Sequence, residues 1–122
     1  MMYAPIFTTI SASAGVKALI GSNPVRCYPF GMAPQGVQLP YVVWQSITGS
    51  PENYINQTPD IDKFSIQVDV YATTETSARN VAKALRDVIE PLAYITSWRG
   101  ESIDPDTLHK RFSFDVDWFV KR

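Results

Sequence analysis

The chain has 122 residues, 45% of them hydrophobic, with 11 basic against 12 acidic side chains and a net charge of −1. That length suits a single domain over residues 1–122 with one core, and the charge balance excludes a strong pull toward nucleic acid or an anionic membrane. A lone cysteine, Cys27, excludes an intrachain disulfide framework, and with a single histidine, His109, one chain cannot assemble a Cys/His zinc site.

No apolar run approaches the roughly 18–20 residues that span a bilayer, and the first residues lack the basic-then-apolar layout of a signal peptide, so the chain reads as soluble and intracellular. Pro5 suits a first helical turn, and Ile6, Phe7, Ile10, Ala14 and Ala18 recur at spacings of three and four, which predicts one helix near residues 4–20 stopping at Gly21. Gly15, Ser11 and Ser13 weaken its interior. Pro24, Pro29, Pro34 and Pro40 among Gly31 and Gly36 exclude long regular elements over residues 22–40, leaving a short extended piece at residues 25–28. The β-rich run YVVWQSI at residues 41–47 predicts a strand buried on much of its surface, and residues 50–60 read as a polar loop in which Tyr54 and Ile55 are the only apolar side chains.

From Phe64 the pattern alternates strictly, with Phe64, Ile66, Val68 and Val70 on one face and Ser65, Gln67, Asp69 and Tyr71 on the other. Thr73 or Thr74 can cap a helix carrying Glu75 in its first turn and an apolar stripe of Ala78, Val81, Ala82, Leu85, Val88, Ile89 and Leu92, ended by Pro91. Residues 93–98 are extended, residues 100–107 form a turn, and residues 111–120 alternate again with Phe112, Phe114, Val116, Trp118 and Val120 inward, pairing with the preceding segment as a hairpin. The order of elements predicts an α+β fold, a mainly antiparallel sheet with two helices packed on one face.

Residues 1–61 hold only Lys17, Arg26, Glu52 and Asp60 as charged groups, whereas residues 62–122 carry nine basic and ten acidic ones. Half of a small domain cannot all be core, so part of the first half must be a surface offering Ser, Thr, Gln, Asn, Pro and aromatic groups. Depletion of Lys, Glu and Asp beside Tyr, Trp and Phe marks the centre of protein–protein contacts, and an uncharged loop surface is the simpler alternative.

Catalytic chemistry finds little support. A Cys27–His109 pair would need the two groups adjacent with a third orienting the ring, and nothing in the spacing brings them together. Asp115 and Asp117 share one strand face, and Asp69 can hold a similar place on its own strand; the plain reading is a solvated sheet face, and the alternatives are a metal or acid–base pair, or a negative lumen wall past which DNA slides. Arg79, Lys83 and Arg86 form a helical stripe that could touch an acidic neighbour, although Lys83 stands four before Asp87 and Arg86 four before Glu90, the spacing of ordinary exposed pairs. With no phosphate-cradling glycine loop and no Gly-x-Ser-x-Gly elbow, the sequence does not look like an enzyme, and it calls for no cofactor or metal.

The strings YPFGMAPQGVQLPYVVWQSITGSPENY, FSIQVDVYATT before the capped helix, and SWRGESIDPDT running into RFSFDVDWFV occur together and in order from Tyr3 to Val120. In this the chain resembles the tail completion, or head–tail joining, proteins of long-tailed bacteriophages, a family related in architecture to tail terminators. The resemblance implies a virion protein of the tail–neck junction, assembled in the host cytoplasm. It would form a hexameric ring on the tail tube protein, stop tube growth, and offer a docking surface to the head–tail connector or neck protein while genomic DNA passes through without specific binding. No catalytic residue is carried over. The contact surfaces expected are the segment around Phe30, Pro34, Gln35 and Pro40, the loop around Glu52, Asn53, Tyr54 and Ile55, and the stripe with Arg79 and Lys83; Asp69, Asp115 and Asp117 are possible lumen-facing groups. The alternative from another class is a small intracellular adaptor binding a partner along an exposed sheet edge.

Overall fold

A computed structural model describes residues 4–22, 24–51 and 61–121. The elements are α1 (Ile6–Ser11), α2 (Ala14–Ile20), β1 (Cys27–Pro29), β2 (Tyr41–Pro51), β3 (Ile61–Ala72), α3 (Glu75–Ile89), β4 (Tyr94–Ile103) and β5 (Lys110–Lys121). Five strands form one sheet in the order β1-β2-β3-β5-β4, antiparallel except for the β1–β2 pair, and the helices form a layer on one of its faces. This is the α+β architecture read from the sequence, with three helices among the described residues in place of two.

The extra helix comes from a break. The single helix expected over residues 4–20 ends at Ala12, and Ser13, in extended conformation, starts α2 by accepting the Val16 N–H on its Oγ at 3.2 Å. The restart changes the phase of the buried stripe: Ile6, Ile10, Val16 and Ile20 are fully buried, whereas Phe7, Ala14 and Ala18, expected on that stripe, are exposed. Gly21 does end the segment, at φ 88°, a backbone conformation that favours glycine.

The alternation in β3 and β5 places Ile66, Val68 and Val70 beside Phe114, Val116, Trp118 and Val120 under α3, which contributes Ala78, Val81, Ala82, Leu85 and Ile89. Thr74 caps α3, its Oγ1 accepting from Ser77 N–H at 3.1 Å. Leu92, expected at the end of the α3 stripe, lies past the helix and is exposed. The short extended piece falls at Cys27–Pro29 rather than residues 25–28.

Two boundaries move because pairing, not local sequence, sets strand length. β2 continues to Pro51 against β3 through a bulge between Ser46 and Thr48, and only Val42 of the expected buried strand is fully buried, with Ser46 and Ile47 exposed. β4 runs on through Gly100 to Ile103 against β5, so the turn expected over residues 100–107 is confined to residues 104–109. Gly100, at φ 82°, follows the second of two register shifts in that strand. Among the described residues no helix is long and apolar enough to cross a membrane.

Candidate functional site

Strand parity gives the sheet a second face that none of the helices among the described residues covers. Along it lie Tyr41, Val43 and Gln45 of β2, Ser65, Gln67, Asp69 and Tyr71 of β3, and Arg111, Ser113, Asp115 and Asp117 of β5. The three aspartates singled out from the sequence therefore share one face, and each is held by neighbours. Asp117 accepts from Ser65 Oγ at 2.8 Å and lies 3.8 Å from Lys63 Nζ. Asp115 receives Arg99 Nε at 3.0 Å across the β4–β5 pair. Asp69 accepts from Ser113 Oγ and from Gln67 Nε2. With Arg111 also on this face, its charge is close to balanced.

At one end of the face Tyr41 and Tyr71 stack with centroids 5.0 Å apart, and burial pushes both phenols above their usual range, with Arg111 pulling the other way at Tyr71. They floor a cleft of about 400 Å³ rimmed by Phe30, Gly31 and Ala33 on one side and by Asp104 and Arg111 on the other. Phe30 and Met32 stand out from this rim, 72% and 67% exposed. Pro34 and Gln35 are exposed further along the same segment; Pro40 is half-buried, and its carbonyl accepts from Arg26 Nε at 2.9 Å. The proline-rich candidates thus form a protruding apolar segment on the β1 side, with Pro40 as its anchored end.

On the opposite flank Tyr94 meets Phe119 edge to face at 5.8 Å beside exposed Leu92. The helix side of the same flank carries a groove of about 380 Å³ lined by Arg79, Ala82, Lys83 and Arg86 of α3 and by Trp98 and Phe112. Trp98 packs on Phe112 and Phe114 at 5.4 and 4.9 Å, and the Arg86 guanidinium lies 5.7 Å from its ring centre. Lys83–Asp87 and Arg86–Glu90 are the pairs expected from their spacing. Arg79 instead makes a two-pronged contact with Glu101 of β4, which holds that carboxyl below its usual range. The groove was not visible in the sequence, because Trp98 and Arg86 meet only through the register of β4 on β5. Glu52, Asn53, Tyr54 and Ile55 lie outside the described residues.

Cys27 is buried in the core, where burial pushes its thiol up to about 12, and β1 lies three places from β5 in the sheet order, so His109 beside β5 is not its partner. Among the described residues no three His, Cys, Asp or Glu side chains cluster in a way that could hold a metal ion.

The described residues thus form a small α+β fold with exposed aromatic and charged groups on its flanks. The sequence profile of the family described as tail completion protein gp17 matches residues 4–121, and the chain belongs to that family. Its role is structural, in a bacteriophage tail. Two solved structures share the fold: a chain from the virion of a native gene transfer agent particle, at TM-score 0.70 and 16% identity over 96% of this chain and 92% of that one, and the bacteriophage SPP1 gp17 protein, at TM-score 0.59 and 10% identity over 96% and 86%. No curated protein matches the chain.

Proposed function

We propose that this protein caps the tail tube as a hexameric ring at the tail–neck junction of a virion, ending tube growth and joining the tail to the head connector without covalent chemistry. The observation that carries this reading is the family match over residues 4–121. Two features of the subunit support it. Apolar side chains protrude on both flanks of one sheet, Phe30 and Met32 beside β1 and Tyr94, Trp98 and Ile103 along β4, as head-to-tail closure requires. The β4 edge is interrupted by register shifts at Thr96 and Arg99, which makes it a poor template for an added strand and weighs against the adaptor reading.

In this reading termination is steric: a ring seated on the last tube layer covers the surface the next tube subunit would use. The helix-free face is turned to the bore, where Asp69, Asp115 and Asp117, already held by Ser113, Arg99 and Lys63, leave no row of free cations to grip passing phosphates. Native mass measurement of the protein with and without purified tail tubes tests the ring. A six-fold species, free or on tubes, is expected; a monomer under both conditions overturns the proposal.

A further inference from the structure

Each edge of the sheet carries an apolar patch, and strand register says on which face it lies. At the β1 edge Phe30 and Met32 stand 72% and 67% exposed. Phe30 borders the cleft over Tyr41, Gln67 and Asp69, so this knob belongs to the helix-free face. At the β4 edge the two faces differ. Tyr94 stands opposite Asp117 and touches Phe119, and with Leu92 these rings border an open cleft of about 670 Å³ on the helix-free face. Trp98 and Glu101 stand opposite Phe114 and Phe112, which point under α3, so they belong to the helix side.

We propose that Phe30 and Met32 of one copy seat against Leu92, Tyr94 and Phe119 of the next. Knob and cleft match in charge as well as in face. Residues 27–40 hold no charged side chain. The one acid lining the cleft, Asp117, is already met by Ser65 and Lys63, whereas the groove on the helix side carries three cations that an apolar knob would strip of water. The two patches of one subunit cannot meet, because β1 and β4 are four strand spacings apart, about 19 Å at roughly 4.8 Å each. The contact therefore joins different patches on two copies, the geometry of a head-to-tail ring. It rests on the ring reading and names the surface that closes it: rotation about the ring axis keeps the bore side of every copy inward, so a β1 edge meets the next β4 edge with both helix-free faces on one side. Aromatic side chains cover roughly 150–250 Å² each, so at exposures of 72%, 67% and 41% Phe30, Tyr94 and Phe119 offer about 270–450 Å². Against the roughly 1,200 Å² of a small stable interface, that is the central anchor of a wider contact.

A photo-reactive side chain at the knob tests it. Phe30 is replaced by benzoylphenylalanine, the protein is assembled with tail tubes and irradiated, and adducts are mapped by peptide mass spectrometry, with native mass measured in parallel. Dimers joined at Leu92, Tyr94 or Phe119 of a second copy are expected. Leu92→Asp, at a side chain 59% exposed, should keep the urea midpoint of its parent and lose both the adduct and the six-fold species. A six-fold ring with no adduct, or with adducts on a tube subunit, on Trp98 or on residues 27–40 of the second copy, overturns the contact and leaves the ring standing. So does a Leu92→Asp protein that still closes the ring. A monomer under every condition overturns both.

Discussion

Ser13→Ala is a perturbation whose sign distinguishes two ways of folding the first twenty residues. In the structure Ser13 caps α2 through its Oγ and the Val16 N–H, 3.2 Å apart. Loss of a serine N-cap costs about 1 kcal/mol. An unbroken helix over the same residues would place position 13 in the interior, where alanine is favoured over serine by roughly 0.5 kcal/mol. The two arrangements also bury different side chains, because residues six apart on a continuous helix stand roughly 120° from each other, whereas Ile10 and Val16 are both fully buried. Urea unfolding of the two proteins should show the midpoint lowered with unchanged slope, and a thermal midpoint about 3–5 °C lower. A Ser13→Ala protein as stable as its parent, or more so, would refute the break between α1 and α2.

Phe114 is fully buried, and Phe114→Ala should cost about 3–5 kcal/mol in urea unfolding; Phe119→Ala, which loses an edge contact with Tyr94 on an exposed ring, should cost about 1 kcal/mol or less. The thiol of Cys27, raised from 9.0 to about 12, should ignore an aromatic disulfide reagent in the native protein at pH 8 and react fully in denaturant. Because the folded state keeps that proton where the unfolded chain loses it, the contribution of Cys27 to stability is intact below pH 9 and declines from there toward pH 12, a slope that Cys27→Ala should remove. Glu101 should titrate below an ordinary glutamate, chiefly through its hydrogen bond from Arg79, and Arg79→Gln should return it to the usual range in a carboxyl-carbon NMR titration.

Where one local signal governed an element, the sequence was readable. The alternation from Phe64 to Tyr71 assigned both faces of β3, and parity put Asp115 and Asp117 on one side of β5, while the β3–β5 register brings Asp69 to that same side. Thr74 and the stripe from Ala78 to Ile89 defined α3. Local signals failed where they competed or where partners decided. The spacing from Ile6 to Ala18 fits one helix, yet a serine able to cap and a glycine two residues later made a restart at Ser13 cheaper than continuation. Gly100, read as the start of a turn, instead follows a bulge that lets β4 continue along β5. Lys83–Asp87 and Arg86–Glu90 were legible from spacing, whereas Arg79–Glu101 joins residues 22 apart that only the α3-on-sheet packing brings together. The groove at Trp98 was hidden for the same reason: its lining joins four residues of α3 to one each from β4 and β5.

The reading of this protein as a cap is tested most directly by electron microscopy of tails assembled with and without it. With the protein present, tubes of uniform length should end in a six-fold density at the head-proximal tip and join to heads; without it, tubes should overgrow or stay unjoined. Particles of normal dimensions, complete and infectious, formed in its absence would contradict a terminating ring.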